Sequence, residues 1–178
     1  GIIREGRIGA IKKVTCNIGS SPTGGPFKKS DPPANLDWNN WLGQAPKVDY
    51  IKERAHYLFR WWYEYSGGKM TDWGAHHVDI AQWALDQNGE GQGVLELDPI
   101  VGEHQIPFKN GMPTKDNYFN TSHNVHIKCK FPNDVEMNIV SKSEEGNGIL
   151  FEGEKGNFFV TRGKLSGEAV DGLKEKPL

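Results

Sequence analysis

The sequence predicts an α+β domain in two layers, with helices packed on one face of a mostly antiparallel, open sheet. Three observations carry this. Apolar residues over 70–86 recur at helical spacing. From Val94 onward the period changes to two, in five short runs. Tight turns rich in Pro, Asn, Asp and Gly link those runs. A chain of 178 residues can bury one core, so a single domain over 1–178 is expected, loop-rich because of its 22 glycines and 10 prolines.

In chain order, residues 8–18 alternate at Val14, Cys16 and Ile18 and read as a strand after the turn at 6–9. Residues 19–35 mix Ser, Pro, Gly and Lys with no period, which reads as a long surface loop or lid, and long loops in compact domains tend to be functional. Residues 36–60 are aromatic and partly helical, with 51–63 one candidate helix. The main helix is 70–86, with Thr71 or Asp72 as its cap and 88–93 as its end. Strands are expected at 93–97, 125–131, 135–141, 149–152 and 157–162. The turns at 131–135 and 152–157 are of hairpin type, so neighbouring strands should pair antiparallel as a meander. Val125, Ile127 and Cys129 alternate with His126, Lys128 and Lys130, leaving a mixed face for solvent or a second subunit. Residues 163–178 lose hydrophobicity and show no evident partner strand.

The chemistry concentrates in the main helix. Asp72 and His76 stand one helical turn apart just after Gly67-Gly68, so both side chains leave one face, which is how an acid/base pair is mounted on a rigid element. Asp72, His76, Asp79 and Trp83 fall within roughly 60° of one another around the axis. Trp73, Ile80 and Ala84 form the opposite stripe, with Val78, Ala81 and Leu85 on the sides. A helix this apolar is expected to be buried on most faces, polar stripe included. A plainer reading of the same spacing has Asp72 capping the helix and His76 bonding to it inside the core. Spacing alone leaves both open.

The run Gly67, Gly68, Asp72, Gly74, His76, Asp79 resembles the Asp-x-Gly-x-His-x-x-Asp signature of the glucose-fructose oxidoreductase / inositol dehydrogenase / MocA family. The likeness continues at Gly6-Arg7-Ile8-Gly9, at Trp38-Asn39-Asn40-Trp41-Leu42-Gly43-Gln44-Ala45-Pro46, at Phe59-Arg60-Trp61-Trp62-Tyr63-Glu64-Tyr65 and at Gly153-Glu154-Lys155-Gly156-Asn157-Phe158, so it covers nearly the whole chain. It implies the fold of a glyceraldehyde-3-phosphate dehydrogenase-like C-terminal domain, serving as the substrate and oligomerisation half of an NAD- or NADP-dependent oxidoreductase. The resemblance makes His76 and Asp72 the catalytic pair. Asp79, Lys69, Arg60, Trp61 and His77 around them are the candidates for binding a sugar or polyol.

Such relatives open with a Rossmann domain carrying Gly-x-Gly-x-x-Gly and, later, a catalytic lysine in Glu-Lys-Pro. Gly89-Glu90-Gly91-Gln92-Gly93 lacks that spacing and follows a helix, while Glu175-Lys176-Pro177 lies at the wrong end. The expectation is therefore a domain cut at both ends, without its dinucleotide-binding partner, binding no NAD or NADP alone and inactive by itself. The family also implies a homo-oligomer through the open sheet face. A non-catalytic carbohydrate-binding or scaffold module is the contrasting reading.

Other classes are disfavoured. A formal charge of −2 with scattered lysines gives no basic stripe for nucleic acid. No apolar run approaches the roughly 18 residues of a membrane span, and the first 20 residues do not look like a signal peptide. Location, cytoplasmic or exported to the periplasm, is left open, since relatives often carry a twin-arginine signal ahead of the Rossmann domain. Cys16 and Cys129 are too few for a disulfide framework and read as buried thiols. All six tryptophans lie between 38 and 83, where they can stack on sugar rings but individually fit a core better. Trp61 and Trp62 point different ways, so only one can line a pocket. No metal is expected: His123 and His126 would project to opposite strand faces, His76 and His77 are about 100° apart, and Asp72 with His76 lacks a third ligand other than Asp79. His56 and His104 show no partner.

Overall fold

Val14, Cys16 and Ile18 are all fully buried, which puts β1 (Ile11–Asn17) in the middle of the sheet. In the computed structural model, which describes residues 1–87 and 89–177, seven strands form one sheet in the order β2-β5-β6-β1-β7-β8-β9. The others are β2 (Glu96–Glu103), β5 (Asn124–Lys130), β6 (Glu136–Val140), β7 (Gly148–Gly153), β8 (Gly156–Thr161) and β9 (Lys164–Ser166), while β3 (Phe108–Lys109) and β4 (Met112–Pro113) make a separate small hairpin. All pairs in the large sheet are antiparallel except β1 with β6. The fold class is thus as the sequence predicts. The meander is not continuous, however: β1 is inserted between β6 and β7. Its Val14 and Cys16 face Met137 and Ile139 on one side and Phe151 and Ile149 on the other, so both neighbours offer apolar partners in register.

Three other expectations change. The helix over 51–63 is replaced by two 3₁₀ segments, Lys52–Arg54 and His56–Trp61, because Ala55 is extended between them and His56 takes φ +52°. Residues after 163 do find a partner: β9 adds to β8 as an edge strand, followed by α3 (Glu168–Asp171). Leu165 is its one apolar residue, too little for periodicity to show. β2 reaches Glu103, well past the expected end at 97, and Pro99 is tolerated because β2 is an edge strand with an irregularity between Pro99 and Val101. Asn88, the first residue of the predicted helix-ending loop, and Leu178 lie outside the described residues.

α1 (Trp38–Leu42) is one short turn, capped by Asp37, whose carboxylate accepts from the Asn40 amide. α2 (Trp73–Ala84) is the main helix and packs against β1 and β7. Only Gly74, His77 and Ala81 are buried on it, so the expectation of burial on most faces is not met. The sheet touches one side of the helix and leaves the His76–Asp79 side open, together with Ile80 and Trp83. The main core joins Ala81 to Ile8, Val14, Cys16, Met137, Phe151 and their neighbours. Burial pushes the Cys16 thiol up to about 12, with the nearby Cys129 adding to the shift, so it is an inert core thiol.

A second, smaller core gathers Ile51, Trp61, Trp62 and Phe119. Arg54, 1% exposed, lies 4.0 Å over the Trp62 ring, pairs with Glu64 at 3.0 Å and donates to the Asp116 carbonyl at 2.7 Å. The face of the large sheet away from α2 carries a polar ladder. His126 Nε2 donates to Asn138 Oδ1 at 2.7 Å, Asn138 donates to Glu136 at 2.7 Å, and Lys128 closes on Glu136 at 2.6 Å.

Candidate functional site

The Gly-Gly turn is set by close approach. Gly68 has φ +65°, and a Cβ there would lie 2.8 Å from both Ser21 Oγ and Thr121 Oγ1, so only glycine fits. The next amide, of Lys69, donates to Ser21 Oγ at 3.1 Å, while Thr71 Oγ1 accepts from the Gly67 amide at 2.9 Å. The predicted loop at 19–35, the 121 region and the start of α2 are thereby fastened at one point, and residues 69–76 are aimed from it.

Asp72 is the N-cap residue of α2 by position, but its side chain makes no capping bond. Its oxygens go to cations instead: Oδ1 is 3.1 Å from Arg60 Nη1 and Oδ2 is 3.7 Å from Lys69 Nζ. All three side chains are about four-fifths buried, at 17%, 22% and 21% exposure, where Coulomb attraction is stronger than at an open surface. Arg60 also stacks on Tyr57 at 3.6 Å and approaches Trp61 at 5.0 Å, and Lys69 Nζ lies 5.6 Å from Trp61 and 5.9 Å from Trp73. Arg162, just beyond β8, covers Trp73 at 4.6 Å.

The structure therefore brings together Arg60, Lys69, Asp72, Trp61 and, beside Trp73, His76. The His76 ring is exposed and stands edge-on to Trp73 at 6.0 Å. Neither predicted geometry for Asp72 holds: it neither caps the helix nor hydrogen-bonds to His76, because two cations compete for its oxygens at short range. Asp79 is exposed one turn further along. Trp61 is 4% exposed and serves as the floor under Arg60 and Lys69 rather than as an open wall. Trp62 is fully buried in the same small core, beneath Arg54.

His77 departs from the substrate-binding expectation. It is 4% exposed on the sheet side of α2, about 100° from His76, and its Nδ1 donates to the Asn17 carbonyl at 3.0 Å. Burial holds its pKa below the ordinary imidazole value, partly offset by that hydrogen bond, so it is a neutral core histidine. His104 does have a partner, the Tyr63 hydroxyl at 2.9 Å. His123 precedes β5 and sits 3.8 Å from Glu103, so the strand argument for its direction does not apply.

Arg162, Tyr57, Ser21 and Thr121 were not legible as site residues. Ser21, Thr121 and Arg162 reach the site from distant segments, Tyr57 shares the 3₁₀ segment His56–Trp61 with Arg60, and only Arg162, at the end of a predicted strand, carried even a positional signal. Among the described residues no group of three or more His, Cys, Asp or Glu side chains is placed to hold a metal ion, and no helix is long and apolar enough to cross a membrane. The glycines at 89, 91 and 93 lie between α2 and β2 and open no helix, so they form no pyrophosphate cradle. In chemical terms the site offers an exposed imidazole, two cations held by one carboxylate, and an aromatic floor.

Residues 25–160 match the family described as the oxidoreductase family, C-terminal alpha/beta domain. Comparison with curated protein sequences gives no match. Among solved structures, the chain is similar to aldose-aldose oxidoreductase from Caulobacter crescentus, crystallised with glycerol, at 12% identity and a TM-score of 0.49. That alignment covers 94% of this chain and 42% of the other, so the chain spans less than half the length of that enzyme.

Proposed function

The chain belongs to the glucose-fructose oxidoreductase / inositol dehydrogenase / MocA family of oxidoreductases, as its C-terminal α/β domain, and on that premise we propose that it is the substrate-binding half of an NAD- or NADP-dependent enzyme acting on a CH-OH carbon of a sugar or polyol. The observation that carries the reading is the start of α2, where His76 stands open beside Trp73 at 6.0 Å, Lys69 lies 5.9 Å from the same ring, and Asp72 holds Lys69 and Arg60 at 3.7 and 3.1 Å. The cofactor supplies the hydride step when bound. Its pyrophosphate needs a glycine turn between a strand and a helix, which residues 89–93 do not offer, so this chain alone binds no dinucleotide and turns over no substrate.

This chain's own residues act on the other half of the reaction. His76 takes the proton of the reacting hydroxyl on oxidation and returns it on reduction. Lys69 and Arg60 present donors toward the substrate oxygens, and Asp72 fixes both so that neither must be ordered when substrate arrives. The aromatic floor of Trp61 and Trp73 excludes water from one side of the group.

In the full-length oxidoreductase, His76→Ala lowers the turnover number by about 10²-fold or more, the usual contribution of a positioned acid/base. A turnover number unchanged in steady-state assays across neutral pH removes His76 from the mechanism and favours a binding module without redox chemistry.

A further inference from the structure

Cations reach the N-terminal end of α2 from three separate elements: Arg60 from the 3₁₀ segment His56–Trp61, Lys69 from the 3₁₀ turn Gly68–Met70, and Arg162 from just past β8. One carboxylate, Asp72, answers two of them. Asp79 lies further along the helix, one turn beyond His76 and exposed. The first N-H groups of α2 add partial positive charge at the same end, because the Asp72 side chain makes no cap bond to them.

Positive charge is thus in excess where the proposed substrate must sit. Arg162 and Lys69 both lie within 6 Å of the Trp73 ring centre, at 4.6 and 5.9 Å, so two cations border one indole. Arg60 carries a guanidinium, a group built to bind an oxyanion through several donors at once, and Asp72 engages it through Nη1 at 3.1 Å. A neutral polyol would leave this charge unanswered.

Resting on the sugar-oxidoreductase reading above, we propose that the substrate carries an anionic group, as a sugar acid or a sugar phosphate does. Its carboxylate or phosphate lies against Arg60, Lys69 and Arg162, and its reacting hydroxyl lies at His76. The excess charge then selects acidic over neutral sugars.

The test is calorimetric titration of the chain, at low salt, with glucuronate, glucose 6-phosphate and glucose. At least one acidic sugar is expected to bind about tenfold or more tighter than glucose, the scale of one or two charge-assisted contacts. That preference should shrink as salt shortens the screening length below the site's dimensions. Which acidic sugar wins distinguishes carboxylate from phosphate. Arg162→Gln, whose exposed position spares the core, reduces the preference several-fold with an unchanged unfolding curve. Equal affinity for glucose and both acidic sugars, or a preference indifferent to salt and to Arg162→Gln, overturns the anion inference and leaves the sugar reading standing. No binding of any of the three at saturating concentrations overturns both.

Discussion

Replacing Gly68 with Ala tests whether the turn before α2 is dictated by contact or only by backbone freedom. Two costs add at this position. A non-glycine residue at φ +65° costs about 1–2 kcal/mol for the left-handed conformation. The new methyl would also lie 2.8 Å from Ser21 Oγ and from Thr121 Cβ and Oγ1, inside ordinary van der Waals contact, and overpacking of that kind costs a further ~1–3 kcal/mol. The expected loss is about 2–5 kcal/mol in all. Gly91 supplies the internal reference, with φ +73° and nothing within 4 Å of its missing Cβ, so Gly91→Ala should lose only the conformational part, about 1–2 kcal/mol. Urea unfolding followed by tryptophan fluorescence measures both, with m unchanged if the denatured states match. If the two variants agree within about 0.5 kcal/mol, the contacts with Ser21 and Thr121 are not what requires glycine, and the account of how residues 69–76 are aimed fails with them.

The His77 imidazole, held below its ordinary pKa by burial, makes stability fall with acidification. Below about pH 6.5 the unfolded chain binds a proton that the folded chain resists, so stability present at neutral pH is lost on descending toward the folded pKa. Thermal unfolding at pH 7.5 and 5.5 should show a smaller pH dependence in His77→Gln than in the parent, with a residue of slope from His104, which burial lowers in the same direction. Equal slopes refute the assignment. Arg54→Ala should cost about 3 kcal/mol by urea unfolding, since it strands Glu64 on the Asn120 amide at 2.8 Å alone, and a loss below about 1 kcal/mol would show the pair to be dispensable. We further propose that the sheet face bearing His126, Lys128 and Asn138 packs on its own copy about a two-fold axis, burying roughly 1,000 Å² or more. Light scattering should then give the mass of two chains, and the mass of one chain at tens of micromolar would mean that the face is solvated.

The elements with strong periodicity were legible because their burial matches it. Val14, Cys16 and Ile18 alternate and are all fully buried, and the runs from Val125 and Val135 pair in the predicted antiparallel sense. Strand order was not legible, since nothing local to residues 11–17 states that their neighbours are 136–140 and 148–153. In the site, the spacing of Asp72 and His76 placed one at the N-cap and the other in the first turns of α2, but which groups Asp72 touches depended on Arg60 and Lys69 arriving from other turns. His77 shows the same limit from the other side. Its neighbour's exposure and its own burial follow from which side of α2 meets β1, a tertiary fact absent from the helix's own letters.

The insertion of β1 between β6 and β7 has a kinetic consequence. The hydrogen-bonded set β2-β5-β6 and the set β7-β8-β9 each consist of antiparallel pairs, and they meet only through β1. β1 must therefore wait until the residues up to 140 have been made before either neighbour exists. Closing so long a loop is entropically slow compared with forming the β7–β8 hairpin, whose strands are joined by a two-residue turn. Until β1 docks, β6 and β7 each present an unpaired edge lined by Met137, Ile139, Ile149 and Phe151, the kind of edge that pairs with other chains. Of the strands in this sheet, the earliest in sequence is thus the last to gain both its partners, and the interval before it does is when the sheet is most exposed to aggregation.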